Sequence, residues 1–430
     1  IMSSDWSSDV CSSDLTYPYE EKGGFSSGDK ILNNVFEISR HTIRLCSNEF
    51  LMDTPWREQA QWLGDVALVT VPAVYACFGD TRLTGKFFRQ AGHNQHPTGM
   101  ISNMSNIVNH HWKGAIPDYS LWWVKGLWEH YMYTGDAEFL HYLYPQAVRV
   151  FHAVADRVNS RGLVEDMPYW VFIDWADVDR RGICTAYNAI FHAMLERLVK
   201  MAEFKRDAHT RHMAEEIMTA MQSSFFSTLF DPDRGCFADA NIDGSLSEKV
   251  SEHGNMAPIY AGLCPDEAAK QIIRRIFESE QDRSFTEAQP FFMAVVLDAL
   301  DRAGRFDLAL DLVRKRWGGR MAEKGVNSVT EEWYRNGSRR SGAFSGFLRS
   351  CSHAWSACPA SFLITRLMGL EVIEPGCRRI RLHPRETDFD YDVTFPAPPG
   401  PVSVKRKNGE LRTSVPQEIH LEEPRSTSPD

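Results

Sequence analysis

Between Leu32 and Leu370 the sequence obeys one period. Apolar residues return every three or four positions, strand-like alternation is scarce, and short glycine-containing breaks divide the run into segments of helical length. Each segment has an apolar face that must be buried against a neighbour, so the stretch reads as a succession of helical hairpins. Tyr75-Ala-Cys-Phe-Gly79-Asp80 and Tyr131-Met-Tyr-Thr-Gly135-Asp136 repeat one Tyr-x-x-x-Gly-Asp break, and similar turns stand at Gly262 to Pro265 and Gly304 to Asp307. Asn188 to Phe204 and Phe291 to Ala303 carry the stripes of amphipathic helices. About twelve helices of roughly 12–15 residues fill the span. That number fits an (α/α)6 toroid, six hairpins in two concentric rings, with an irregular helical solenoid as the other arrangement.

After Gly369 the pattern changes. Arg379 to His383 and Tyr391 to Phe395 alternate, Pro396 to Pro401 reads as loop, and Val402 to Leu411 reads as a hairpin with an Asn408-Gly409 turn. The expected class is therefore mainly α with a small C-terminal β-sandwich portion. The expected divisions are a leader or artefact over 1–24, in which Ser-Ser-Asp recurs three times before Leu15, an (α/α)6 barrel over 25–370, a β domain over 371–421 and a disordered tail over 422–430.

Composition narrows the function. Lys plus Arg is 47 against Asp plus Glu 57, and no basic stripe exceeds Arg339-Arg340 or Lys405-Arg406-Lys407, which speaks against nucleic acid as a partner. The longest nearly apolar run, Val66 to Phe78, is too short to span a bilayer and is broken by Pro72, so no membrane is expected. Nine cysteines without a CxxC pair argue against a disulfide framework or a zinc site and favour a reducing, cytoplasmic compartment. Twelve Trp, 13 Tyr and 25 Phe suit a deep core and equally a pocket that stacks flat ligands or sugar rings.

The densest chemical signal is Asp53-Thr-Pro-Trp56-Arg57-Glu58-Gln-Ala-Gln-Trp62-Leu-Gly-Asp65. Thr54 as N-cap and Pro55 at the first helical position predict a helix starting here, with Glu58, Trp62 and Asp65 sharing one face. The segment that follows is apolar nearly all round, as in an interior helix. Carboxylates at the mouth of a buried helix cost several kcal/mol unless paired, hydrogen-bonded or protonated, and a raised pKa is what a general acid needs. A lone acid would merely complement the helix N-terminus or pair with Arg57. Acids crowded with Trp56 and Trp62 point to a site.

A second acid group lies at Ser328-Val-Thr-Glu331-Glu332-Trp333, followed by Ser350-Cys-Ser-His353-Ala-Trp355. In isolation a Glu pair marks a solvated turn. If the toroid closes, the last hairpins return beside the first and this group faces Glu58 across the central cavity. Separated carboxylates with aromatic walls are the equipment of glycoside hydrolysis. Pro117-Asp118-Tyr119 with Trp122 and Trp123, and Phe172-Ile-Asp174-Trp175, set Asp beside Trp. Either these are core tryptophans with capping acids, or they are stacking platforms with acids that grip sugar hydroxyls. His93, His96 and the pair His110-His111 lack carboxylates at metal-ligand spacing and read as structural or surface residues.

On the Asp53 to Asp65 motif, Thr330-Glu331-Glu332-Trp333, Ser352-His353-Ala-Trp355-Ser and the Pro375-Gly376 to Pro384 entry into a β-sandwich, the chain resembles the α-L-rhamnosidases of glycoside hydrolase family 78 from about Phe25 to Val404. The resemblance implies an (α/α)6 catalytic barrel, anomeric inversion, no metal or other cofactor, and release of terminal L-rhamnose from a glycoside. It also implies Glu58 as general acid, Glu331 or Glu332 as general base, and Asp53, Arg57, Trp62, Asp65 and His353 as substrate-binding residues. An aromatic at Trp333 favours Glu331 as the base. Trp122, Asp174, Trp175 and Trp333 are added as candidate sugar contacts from the aromatic-wall pattern. The family carries β domains ahead of the barrel, so the chain reads as truncated at its N-terminus. Two other functions fit the same residues: the same barrel acting on an arabinosyl, uronic-acid or fucosyl terminus, and a non-catalytic carbohydrate-binding toroid. A terpenoid-type toroid finds no DDxxD run here.

Overall fold

The computed structural model describes residues 16–106, 114–279, 284–333 and 350–422. Among these residues twelve helices follow one another, each π-helical turn being counted with the helix it continues. They are α1 (Lys30–Leu45), α2 (Leu63–Asp65, running through Val66–Thr70 into Val71–Phe78), α3 (Arg82–His93), α4 (Pro117–Thr134), α5 (Ala137–Ala155) and α6 (Thr185–Lys205). The second half comprises α7 (Ala208–Leu229), α8 (Glu252–Ala261), α9 (Asp266–Ile273 with Arg274–Glu278), α10 (Met293–Arg302), α11 (Phe306–Leu312 with Val313–Gly318) and α12 (Cys358–Leu367). The even-numbered helices pack side by side in chain order, and α12 packs back against α2, which closes an inner ring. The odd-numbered helices lie outside it. This is the (α/α)6 toroid expected from the period of the sequence.

Burial separates the two rings. The first three turns of α4 and of α6 are buried on every face, whereas α1 buries only the stripe Leu32, Val35, Phe36, Ser39, Thr42 and Ile43. The stretch starting at Asn188, read as amphipathic, is thus buried all round in its first half because it belongs to the inner ring. Helix ends follow local chemistry. Asp29, Asp136, Asp207 and Ser251 accept from backbone N–H groups one turn on in α1, α5, α7 and α8. Gly79, Gly135 and Gly262 end α2, α4 and α8 at φ of 64°, 72° and 71°, a conformation that favours glycine. The repeated Gly-Asp breaks are therefore the tight turns where an inner helix reverses into its outer partner.

The connections at the other end, from an outer helix to the next inner one, are long and irregular. Long surface connections on a rigid scaffold are where binding groups are usually carried. Here these connections lead into the N-terminal ends of the inner helices, so their side chains meet over one mouth of the ring.

The β portion comprises a four-stranded antiparallel sheet and a three-stranded sheet. The hairpin at Asn408-Gly409 forms as expected, with Lys407 opposite Glu410 and φ of 52° and 82° at the two turn residues. Pro396 to Pro401, expected as loop, instead lies mostly in strands: Tyr391–Ala397 and Gly400–Lys407 pair with Pro396 opposite Pro401. Neither proline has an N–H, so they can face each other only where the ladder needs none, and Pro396 lies beyond Gly24, where the neighbouring first strand stops.

The ends of the chain also depart from expectation. Gly24–Ser27 pairs with Tyr391–Ala397 and so belongs to the C-terminal sheet rather than to the barrel. Within the stretch set aside as a leader, Tyr19 is buried and stacks on Phe78 at 4.3 Å, and Tyr17 N donates to Ser47 O. Aromatic burial against α2 accounts for this order. Residues 1–15 and 423–430 lie outside the described residues, while Glu422, placed at the start of the tail, pairs with Arg381 at 2.9 Å. Among the described residues no helix is long and apolar enough to cross a membrane. Tyr19→Ala is expected to lower the stability of the chain by about 3 kcal/mol, the usual cost of deleting a packed aromatic. A urea midpoint within experimental error of the parent chain would show instead that this segment is not part of the core.

Candidate active site

Residues 53–61, expected to open a helix, form a closed loop, and α2 begins only at Leu63. Asp53 N donates to Ala60 O and Ala60 N donates to Asp53 Oδ1, both at 2.8 Å, which ties the ends together. Gln59 has a φ of 52°, incompatible with a continuous helix. The Thr54 hydroxyl accepts from Ser350 Oγ at 2.9 Å instead of capping a helix. Glu58, Trp62 and Asp65 therefore do not share a helical face. Side-chain contacts gather them anyway: Trp62 Nε1 donates to Glu58 Oε2 at 2.7 Å, and the Trp62 ring lies edge-on to Tyr119, whose hydroxyl donates to Asp65 Oδ1 at 2.8 Å. Gly64 permits this arrangement, because a Cβ there would stand 2.3 Å from the Tyr119 ring.

The acids come together across the ring closure. Arg57 Nη2 lies 3.0 Å from Glu58 Oε1 and 3.0 Å from Glu331 Oε2. Two oxygens so close to one nitrogen are at most about 6 Å apart, shorter than the roughly 6.5–9.5 Å between the carboxyls of an inverting pair and near the roughly 5–5.5 Å of a retaining pair. Glu331 is buried, and Ser350 N donates to the same Oε2 at 2.8 Å. Trp355 Nε1 donates to the Glu331 backbone oxygen at 2.8 Å. Of the Glu doublet it is Glu331 that meets Arg57, while the Glu332 carbonyl accepts from the Thr330 hydroxyl. His353 stacks on Trp355 at 4.3 Å, with Nε2 3.9 Å from Asp53 Oδ2. That oxygen is buried without a hydrogen-bond partner among the described residues.

Burial raises the Asp53 carboxyl to about 9, reinforced by the negative charges of Glu58 and Asp65. Asp65 is likewise raised well above the ordinary carboxylate range, again first by burial, although the Tyr119 hydrogen bond opposes the shift. The cluster thus retains protons at neutral pH beside the half-exposed Glu58. Such an arrangement can hold hydroxyl groups, deliver a proton and keep a second carboxylate charged nearby.

Three expected sugar contacts are not in the hollow. Trp122 is 1% exposed, edge-on to Tyr260 and covered by the Lys125 ammonium, so it packs the interior of the ring one turn below Tyr119. Trp333 is 2% exposed, edge-on to Trp317, with Nε1 donating to Ala288 O; it is core beneath Glu331. Asp174 is fully buried and has both oxygens engaged, Oδ1 by Trp175 N and Oδ2 by His253 Nε2 and Gln289 N, so it anchors loops. Trp175 is half-buried with its ring 5.0 Å from Phe172, on the wall of the hollow. Asp118 accepts from Phe172 N and Ile173 N, which is neither the capping nor the gripping role considered for it. His93 pairs with the Tyr142 hydroxyl, and His110 and His111 lie outside the described residues. Among the described residues no three His, Cys, Asp or Glu side chains are gathered to hold a metal ion.

Two members of the site stand in the motifs without a residue type that marks their role. Ser350 acts through its backbone N–H, which leaves no residue signature, and Tyr119 is one of many buried aromatics. A separate cavity of about 830 Å³ lies toward the C-terminal ends of α2, α4 and α6, away from the acids, and its Lys125 and Arg366 are paired with Glu129 and Asp298.

A family model described as the bacterial alpha-L-rhamnosidase 6 hairpin glycosidase domain matches residues 20–367. Among solved structures, the chain is similar to a GH78 family rhamnosidase of Bacillus sp. GL1, with a TM-score of 0.83 at 25% identity, covering 95% of this chain and 43% of that one. The α-L-rhamnosidase from Dictyoglumus thermophilum gives a TM-score of 0.78 at 18% identity, covering 94% and 45%. A rhamnosidase from Klebsiella oxytoca with rhamnose bound gives 0.70 at 22% identity, covering 84% and 67%. The chain therefore spans less than half the length of the first two. No curated protein matches it.

The raised Asp53 carboxyl makes a stability prediction. A folded-state pKa above the ordinary 3.8 favours folding below that value and loses the advantage as pH rises toward about 9. Asn in its place keeps the acceptor for Ala60 N but cannot ionise. The Tm of Asp53→Asn should exceed that of the parent chain by an amount that grows from pH 4 to pH 8.5. A difference independent of pH would mean that Asp53 titrates normally.

Proposed function

Because the chain belongs to the bacterial α-L-rhamnosidase six-hairpin glycosidase family, we propose that it is a glycoside hydrolase that releases terminal α-L-rhamnose with inversion at the anomeric carbon. The observation that carries the hydrolase reading is the single Arg57 nitrogen shared by Glu58 and Glu331, two carboxylates brought together from opposite ends of the barrel sequence; inversion rests on the family resemblance and not on their spacing. Glu58 is the general acid. It is the more exposed carboxyl, oriented by Trp62 Nε1 on one oxygen and Arg57 on the other, and it protonates the glycosidic oxygen as the bond breaks.

Glu331 is the general base. The Arg57 guanidinium and the Ser350 N–H hold its carboxylate charged and oriented, so that it can take a proton from a water attacking the face opposite the leaving group. Asp53 Oδ2, Asp65 and His353 accept or share sugar hydroxyls. Phe172, Phe291 and Trp355 form an apolar wall of rings 5.3–6.2 Å apart, which suits the methyl group of a 6-deoxy sugar and disfavours a uronic acid. The rhamnose bound in the Klebsiella oxytoca relative supports the same sugar here.

With an aryl α-L-rhamnoside, Glu58→Gln and Glu331→Gln should each lower kcat/KM by at least about 100-fold. α-L-Rhamnosyl fluoride, whose leaving group needs no proton, should restore much of the turnover of Glu58→Gln and none of that of Glu331→Gln. Proton NMR of the first-formed product should show the β anomer. The α anomer would overturn inversion, and unchanged turnover in either variant would remove that residue from the chemistry.

A further inference from the structure

The wall of the hollow continues outward as an aromatic strip longer than one terminal sugar requires. Its inner end is Trp355, stacked on His353. Phe172 lies over Trp355 at 6.1 Å, and outward from Phe172 come Trp175 at 5.0 Å and Trp170 at 5.3 Å, with the two indoles 5.7 Å apart. Exposure rises along the strip: Trp355 and Phe172 are buried, Trp175 is half-buried and Trp170 is 51% exposed.

An indole half in water on an irregular loop gains little from packing. Yet this loop is held by an unusual number of buried groups. The Asp118 carboxylate accepts from Phe172 N at 2.9 Å and Ile173 N at 3.0 Å, which maintains Ile173 at a φ of 57°, an outlier for a β-branched residue. The Arg180 guanidinium donates to four backbone carbonyls, those of Phe172, Val178, Asp174 and Ala176, at 2.6–3.0 Å. Asp174 ties the same loop to His253 and to Gln289 N. None of these clamps faces the acids. Their common effect is to hold Trp170 and Trp175 in place at the mouth before anything binds, and a surface ordered in advance loses less entropy on binding.

We propose that Trp170, with the outer edge of Trp175, is the platform for the leaving group, stacking the flat apolar face of an aryl ring or of a pyranose. The inference rests on the glycosidase reading. Trp355, Phe172, Phe291 and Tyr119 are all buried, whereas Trp170 is 51% exposed. In the glycosidase reading the sugar to be released therefore lies toward the buried end of the strip and its leaving group toward Trp170.

The test uses the intact chain and its Trp170→Ala and Trp170→Phe variants with three substrates: a naphthyl α-L-rhamnoside, a disaccharide of rhamnose on a glucopyranose, and α-L-rhamnosyl fluoride, whose leaving group has no face to stack. Trp170→Ala should lower kcat/KM about three- to tenfold for the naphthyl or the disaccharide substrate, chiefly through KM. Loss on only one of them identifies which flat face is recognised. Trp170→Phe should recover most of that loss, and the fluoride and inhibition by free rhamnose should be unchanged. An equal loss on the fluoride, or no loss on either large substrate, overturns the platform. A parent chain inert toward all three overturns the glycosidase reading itself and the platform with it, a result distinct from an active parent with an indifferent variant.

Discussion

The hollow exists because the ring closes. The helix after the second acid group, α12, packs against the helix after the first, α2, and hydrogen bonds seal the joint: Ala354 N donates to Asp53 O at 2.8 Å, and the Ser350 hydroxyl donates to the Thr54 hydroxyl. Outside the joint, Arg314 reaches Asp29 at the start of α1. Each hairpin buries only part of its apolar surface against its own partner, and inner helices such as α4 and α6, buried on every face over their first turns, have no stable place except within a closed ring. Bringing Glu331 to Glu58 is thus a by-product of burying hydrophobic surface, with the joining entropy borne by the whole fold.

Given that proximity, the acids are arranged against their own stability. Asp53 and Asp65 sit in low-dielectric surroundings with like charges near them, and Arg57 lies within 3.0 Å of both Glu58 and Glu331. A site meant only for packing would bury neutral side chains here. Retained protons and one charged carboxylate are useful for acid–base chemistry and unfavourable for folding, which is the usual balance at a functional site.

The scaffold separates these burdens by position. Turns that reverse an inner helix into an outer one are short and built on a left-handed residue, glycine in all but the α6 to α7 turn, where it is Arg206, while the connections into the inner helices are long and held by side chains such as Asp118, Asp174 and Arg180. Because those connections all enter the same end of the ring, every described residue brought near the acids, from Asp53 to Trp355, stands in a connection that leads into an inner helix or in the first turn of that helix. The opposite mouth carries paired charges around a different cavity.

What the sequence determines by itself is whatever depends on neighbours along the chain. The helical period and the Gly-Asp breaks are set by local backbone geometry, and they specify hairpins and hence the toroid. The Asn408-Gly409 hairpin is equally local. The motif from Asp53 to Asp65 announces an acid-rich site because so many polar groups beside a buried helix have no structural explanation. Tertiary contacts decide the rest. Whether 53–61 is helix or loop turns on the tie between Asp53 and Ala60 and on Ser350 capturing Thr54 from the far end of the barrel. Trp122, Trp333 and Trp175 look alike in sequence, but only a position relative to the mouth makes an indole either core or wall. Glu331 and Glu332 are equivalent by residue type, and the side from which Arg57 and Ser350 approach distinguishes them. Periodicity records which face of an element is buried, whereas the partner that covers that face is a property of the closed ring.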